Sequence, residues 1–168
     1  MPSLRNKRGD NIRIRLATSE DLDALFALDR ACFRPGIAYS KTELRYFLFH
    51  VRSRSAVAED ESGIAGFAIV EFQVEEGRRI GHIVTIDVAP ERRRRGVGRL
   101  LMDALFGFCR EAEVSELRLE VAVDNDGAIA FYKLLGFAET GRIRGYYLGR
   151  LDALVMGLAV QAQRCSPE

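Results

Sequence analysis

The sequence predicts an α/β (α+β) fold in which a central mixed sheet of six to seven strands is flanked by about four helices. Three observations carry that expectation. Apolar and β-branched runs, several alternating with period two, cover residues 12–16, 55–59, 64–74, 79–88 and 117–123, as expected of buried and half-buried strands. From Val97 onward Leu101, Ala104, Leu105, Phe108 and Ala112 recur at helical spacing, and a helix that joins two strands makes them parallel neighbours. Turn signals at Asp60-Glu61-Ser62-Gly63 and Glu75-Glu76-Gly77-Arg78 turn other connections into antiparallel hairpins, so the sheet is mixed.

Taken in order, residues 1–11 are polar and predict a flexible tail before the strand at 12–16. Thr18 or Ser19 caps a helix over about 20–31 that buries Leu22, Leu25 and Phe26, and Arg34-Pro35-Gly36 ends it. Ser40-Lys41-Thr42-Glu43 has the capping-box form and starts a second helix through Leu44, Phe47 and Leu48. Strands 55–59 and 64–74 form a hairpin. The strand at 79–88 has apolar side chains on both faces and reads as central. In the strand at 117–123, Leu117, Leu119, Val121 and Val123 share one face and Glu120 takes the other. Asn125 or Asp126 caps a short helix that Gly136 closes as its left-handed C′ residue. Residues 138–148 and 153–158 make a closing antiparallel pair, and 161–168 predict a disordered tail.

A chain of 168 residues with 48% hydrophobic content suits one domain over 12–160. Its 25 basic and 24 acidic side chains nearly cancel, which argues against a nucleic-acid-coating or membrane-adsorbing protein. Cys32, Cys109 and Cys165 have neither disulfide-framework nor zinc-site spacing, so no metal is expected and a reducing, cytoplasmic location is the default. No apolar run reaches the length of a membrane span. The oligomeric state, monomer or homodimer, stays open.

Thr85 to Leu101 organises the chain. An apolar strand breaks at Pro90, passes through Arg92, Arg93, Arg94 and Arg95, then Gly96 and Gly98, and becomes a helix. Glycines let backbone approach a ligand, and a helix start offers unpaired N–H donors and partial positive charge, so the junction suits a phosphorylated cofactor.

The order β-α-α-β-β-β-α-β-α-β-β, with Arg93-x-x-Gly96-x-Gly98 after the fourth strand, resembles the GCN5-related N-acetyltransferase (GNAT) family over about residues 12–158. Leu119-Glu120-Val121, Asn125, Ala128-Ile129-Ala130-Phe131-Tyr132 and Leu135-Gly136-Phe137 add to the likeness. Within it, Glu120, Asn125, Tyr132, Arg144-Gly145-Tyr146-Tyr147 and Asp152-Ala153-Leu154-Val155-Met156 are most similar to the RimI-type ribosomal-protein-alanine and protein N-terminal acetyltransferases. Arg34-Pro35-Gly36-Ile37 and the short link from Tyr147 to Asp152 depart from that branch.

The resemblance implies acetyl-CoA as acetyl donor. Ile86, Asp87 and Val88 would flank its pantetheine arm, with Ile86 and Val88 bonding it through their backbone. Arg93, Arg94, Arg95, Gly96, Val97, Gly98 and Arg99 would surround the pyrophosphate, and Asn125 and Tyr132 would complete the cofactor contacts. The acceptor would be a protein or peptide N-terminal α-amine, attacking directly, with Glu120 as base, Tyr132 as acid for the leaving thiolate and the Val88 N–H polarising the carbonyl. A small amine, a lysine side chain, or a non-catalytic acyl-CoA-binding regulatory role are the alternatives. Tyr146 and Tyr147 are either acceptor-site walls or packing, Cys109 reads as core, and His82 has no partner visible nearby in sequence.

Overall fold

A computed structural model of the chain describes residues 4–5, by backbone alone, and 11–160. The tails expected at 1–11 and 161–168 lie largely outside these residues; Leu4–Arg5 form a two-residue strand paired with Ile12 and Asn11. Residues cluster into two compact units, Met1–Glu71 with Ile83–Gly107, and Phe72–His82 with Phe108–Glu168. The element order is the expected one with a short strand added in front.

The first unit carries strands β1 (Leu4–Arg5), β2 (Asn11–Leu16), β3 (Ser53–Asp60) and most of β4 (Gly63–Glu75), followed by the last part of β5 (Arg78–Val88). These are neighbours in that order; tight turns join β3 to β4 and β4 to β5, whereas β2 and β3 are joined through the two helices between them. Helix α1 (Leu22–Cys32) follows a 3-10 turn at Ser19–Asp21 whose entry is held by Asp21: its carboxylate accepts the Thr18 N–H at 2.7 Å and a two-pronged bond from Arg15. Helix α2 (Lys41–Phe49) starts on the capping box, Glu43 N–H donating to Ser40 Oγ and Ser40 N–H to Glu43 Oε2. The apolar stripes of both helices supply Leu25, Leu44 and Leu48 to a core with Val57, Phe67 and Ile69. Each such side chain stabilises by roughly 1.5–3 kcal/mol on burial, which is what holds two marginal helices of 11 and 9 residues in place.

Strand β5 continues into the second unit, where Ile80, Gly81 and His82 pair in parallel with Glu116, Leu117 and Arg118 of β6 (Glu116–Ala122). Parallel pairing needs a crossover, and helix α3 (Val97–Glu111) provides it. Leu117, Leu119 and Val121 are buried while Glu116, Arg118 and Glu120 are half-buried on the opposite face. Helix α4 (Asp126–Leu134) is capped by Asn125, whose side chain accepts the Ala128 N–H, and closes at Gly136 with φ of +97°. Strands β7 (Ala138–Tyr147) and β8 (Leu151–Ala159) pair antiparallel, yet the spatial order is β6-β8-β7. The last strand thus lies between two others, with Glu120 opposite Val155.

Candidate active site

In the first unit, the strand-to-helix junction presents backbone N–H groups at a helix start. The first bond of α3 runs from Leu100 N–H to the Gly96 carbonyl, so the N–H groups of Val97, Gly98 and Arg99 precede the helical ladder. Gly96 has φ of +84° with nothing within 4 Å of where a Cβ would stand, and Arg94 also takes a left-handed φ of +64°. Backbone donors and open space at the start of a fifteen-residue helix fit a pyrophosphate. Arg93, Arg94 and Arg99 are exposed beside it, although Arg93 also donates to the Val88 carbonyl and Arg99 to Asp103. Arg92 is committed elsewhere: it pairs with Asp60 and Ser62 of the β3–β4 turn, which drives the Asp60 carboxyl far below its usual range.

Along β5, the carbonyls of Val84 and Val88 accept from side chains, Val84 from the Tyr39 hydroxyl at 3.2 Å and Val88 from Arg93 and Cys32. The peptide of Ile86 lies between them, and the register with β6 covers only Ile80, Gly81 and His82. An extended arm laid beside Ile86 and Val88 fits such a strand edge. Asp87 is turned inward: it is 1% exposed and its carboxylate accepts from Thr85 Oγ1, so only its backbone faces outward contacts. Gly66, which sequence reasoning passed over, lets β5 sit close: a Cβ there would stand 2.5 Å from the Asp87 carbonyl oxygen.

The second unit brings several titratable side chains together. His82 Nε2 lies 2.5 Å from Glu120 Oε2, both side chains about one-quarter exposed. Burial raises Tyr147 above an ordinary phenol, with Tyr146 and the Glu120 charge adding to it; burial first and then Glu120 raise Tyr146 as well. The two tyrosine rings meet edge to face at 4.8 Å. His82, Glu120, Tyr146 and Tyr147 therefore form one cluster. The Tyr146–Tyr147 end of β7 is shaped by Asp152, which accepts the Gly145 N–H and an Arg142 N–H, and by left-handed φ angles at Gly145, Leu148 and Gly149. His82 was missed because its partner is 38 residues away; the parallel register of β5 with β6, placing His82 opposite Arg118, is the signal that finds it.

Tyr132 is 9% exposed on α4, its ring against Phe131 and Phe137. Asn125 uses its side-chain oxygen as the α4 cap. Cys109 is fully buried with its thiol pushed up to about 12, a core residue and no nucleophile at neutral pH. No helix among the described residues is long and apolar enough to cross a membrane.

Comparison with known proteins gives a consistent picture. Residues 22–137 match the family model described as the acetyltransferase (GNAT) family. An N-alpha-acetyltransferase of Sulfurisphaera tokodaii is 31% identical over 162 residues, covering 89% of this chain and 94% of that protein. The crystal structure of the ribosomal-protein-S18-alanine N-acetyltransferase from Escherichia coli superposes with a TM-score of 0.78 at 27% identity, covering 94% of this chain and 99% of that one. Arabidopsis thaliana NAA60 in complex with acetyl-CoA shares the fold, with a TM-score of 0.78 at 20% identity over 89% of this chain and 98% of that one.

Proposed function

The chain belongs to the GNAT acetyltransferase family, and from that premise we propose that it transfers the acetyl group of acetyl-CoA to the N-terminal α-amine of a protein or peptide. The observation that carries the reading is the His82–Glu120 pair beside Tyr146 and Tyr147. It offers a carboxylate, oriented by an imidazole, in an aromatic-walled cluster suited to a peptide end. The N-alpha-acetyltransferase relative, which this chain covers for 94% of its length, supports the same acceptor class.

Acetyl-CoA is the donor substrate. Val97, Gly98 and Arg99 N–H groups, with Arg94 and Arg95, hold its pyrophosphate; Ile86 and Val88 bond its arm. Asn125 and the backbone of Asp87 complete the contacts.

An α-amine has a pKa of about 7.7–8.0, so much of it is protonated near neutrality and must lose a proton before it attacks. Glu120 takes that proton. With His82 on Oε2, Oε1 is the oxygen left to accept it. The amine nitrogen bonds to the acetyl carbonyl carbon, the Val88 N–H stabilises the oxygen as it gains charge, and the carbon–sulfur bond breaks. Tyr132 protonates the departing thiolate, and the second proton that the nitrogen loses as the amide forms restores the Tyr132 hydroxyl. No covalent enzyme intermediate is needed, and holding two reactants in register supplies much of the acceleration.

The test is mass spectrometry of N-terminal peptides, a lysine-containing blocked peptide and small polyamines after incubation with the full chain and acetyl-CoA. Acetyl groups at peptide α-amines are expected. Transfer confined to polyamines or lysine would replace the acceptor, and no transfer at all would leave an acyl-CoA-binding role.

A further inference from the structure

Two carboxylic acids, both among the least accessible groups of the first unit, stand outside the chemistry above. Asp29 on α1 is 0% exposed and Asp87 on β5 is 1% exposed. Each has one oxygen occupied by a conventional donor: Asp29 Oδ2 takes the Tyr39 N–H at 2.7 Å, and Asp87 Oδ1 takes the Thr85 hydroxyl at 2.5 Å. The remaining oxygens, Asp29 Oδ1 and Asp87 Oδ2, are buried with no hydrogen-bond partner; Cys32, one turn beyond Asp29, reaches the Val88 carbonyl next to Asp87, and the Asp29 charge is felt at Asp87. Two ionised carboxylates have no proton to place between them, and burying both without one is prohibitive. From this geometry we propose that Asp29 and Asp87 share a single proton, and that the joined pair is a positioning device that seats the segment between α1 and α2 on β5.

The seating is visible in three bonds. Asp29 holds the Tyr39 backbone, the Tyr39 hydroxyl reaches the Val84 carbonyl, and Cys32 at the end of α1 reaches the Val88 carbonyl. Residues 33–40 are thereby pinned to β5 on either side of Ile86. Under the function proposed above, which this inference rests on for its catalytic consequence, that is the strand edge where donor and acceptor meet. The proton is held on Asp87. Burial, then the Asp29 charge, raise its carboxyl, against the Thr85 hydroxyl and the Arg93 charge, which lower it. Asp29 is raised by burial and lowered by the Tyr39 N–H and by Asp87. The groups facing the pair are thus Cys32 from α1, Tyr39 from the segment after it, Thr85 from β5 and Arg93 from the junction beyond. Cys32 is itself pushed up to about 11, by burial first and then by Asp87, so it adds no charge near neutrality. Loss of the shared proton on the alkaline side puts two negative charges in contact and unseats the segment.

The experiment is carbon-detected NMR of the aspartate carboxyls in the full-length protein, with amide exchange of residues 33–40, for wild type, Asp29→Ala, Asp29→Asn and Asp87→Asn. In wild type at neutral pH one buried aspartate resonance should sit at its protonated position and vanish in Asp87→Asn, whose amide replaces the shared proton. Asp29→Ala should speed exchange at Tyr39 at least tenfold, and Asp87→Asn should keep wild-type exchange at neutral pH while losing the alkaline acceleration beyond base catalysis. If Asp29→Ala does not fold, Asp29→Asn serves in its place and should move the Asp87 resonance to its ionised position. The acceptor KM should rise about tenfold in Asp29→Ala with kcat changed less than threefold. Two ionised carboxyls in wild type at neutral pH, or unchanged Tyr39 exchange in Asp29→Ala, would overturn the proposal. Because neither readout requires turnover, a chain that acetylates nothing would sink the proposed function and leave the shared proton standing.

Discussion

His82 Nε2 and Glu120 Oε2 lie 2.5 Å apart on neighbouring parallel strands. The contact arises from register: His82 is opposite Arg118, and the next residue on the same face of β6 is Glu120. A carboxylate held by an imidazole has a fixed orientation, which a lone exposed glutamate lacks.

Substitution at this pair should separate base from positioner. Glu120→Gln is expected to lower kcat by about 10²-fold or more, the usual weight of a general base, without lowering the melting temperature, since both side chains are partly solvated. His82→Ala should cost about tenfold and reshape the pH–rate profile. Tyr132→Phe should reduce kcat with little change in acetyl-CoA affinity. Steady-state thiol release across pH checks all three; unchanged turnover in Glu120→Gln would remove it as the base.

Gly96→Ala tests the strand-to-helix junction. Space is no obstacle, because nothing lies within 4 Å of the added carbon, but a φ of +84° costs an L side chain about 1–2 kcal/mol. Relief of that strain should move the N–H donors and raise the acetyl-CoA Kd about tenfold by calorimetry. Gly77→Ala, with φ of +78° and equal space in the β4–β5 turn, should be strained to the same degree and bind normally.

Gly66→Ala meets a different obstacle. Its Cβ would sit 2.5 Å from the Asp87 carbonyl oxygen and 3.1 Å from Leu101 Cδ1. Backbone cannot swing aside as a side chain can, so thermal melting should report a loss of about 3 kcal/mol.

The Arg15–Asp21 pair sets an acid limit. Arg15, through its hydrogen bond, is the main cause holding the Asp21 carboxyl at about 2 against an ordinary 3.8. A depressed folded pKa stabilises above the unfolded value and is lost as pH falls through the folded one. Wild type should therefore exceed Arg15→Ala by roughly 1–2 kcal/mol above about pH 4, and the gap should close toward pH 2. A melting-temperature series over that range is the check; a gap independent of pH would assign the effect to packing.

Much of the architecture was legible because its causes are local. Ser40 with Glu43, Asn125 before α4 and Gly136 after it are caps written within a few residues. The period-two row of Leu117, Leu119 and Val121 is enough to put Glu120 on the opposite face of its strand. Arginines illustrate the limit. Residues 92–95 read as one basic cluster, yet Arg92 is spent on the β3–β4 turn and Arg93 bonds back to Val88, since charge alone does not say which neighbour it will meet.

By itself, the sequence determined the order of elements, the glycine-arginine junction and the side of the strand on which Glu120 stands, all consequences of helix and strand periodicity and of capping chemistry. Only the tertiary structure decided that β8 lies between β6 and β7, that His82 meets Glu120, and that Asp29 meets Asp87. Such partners are set by strand register and by helix packing on the sheet, and those depend on the whole chain at once.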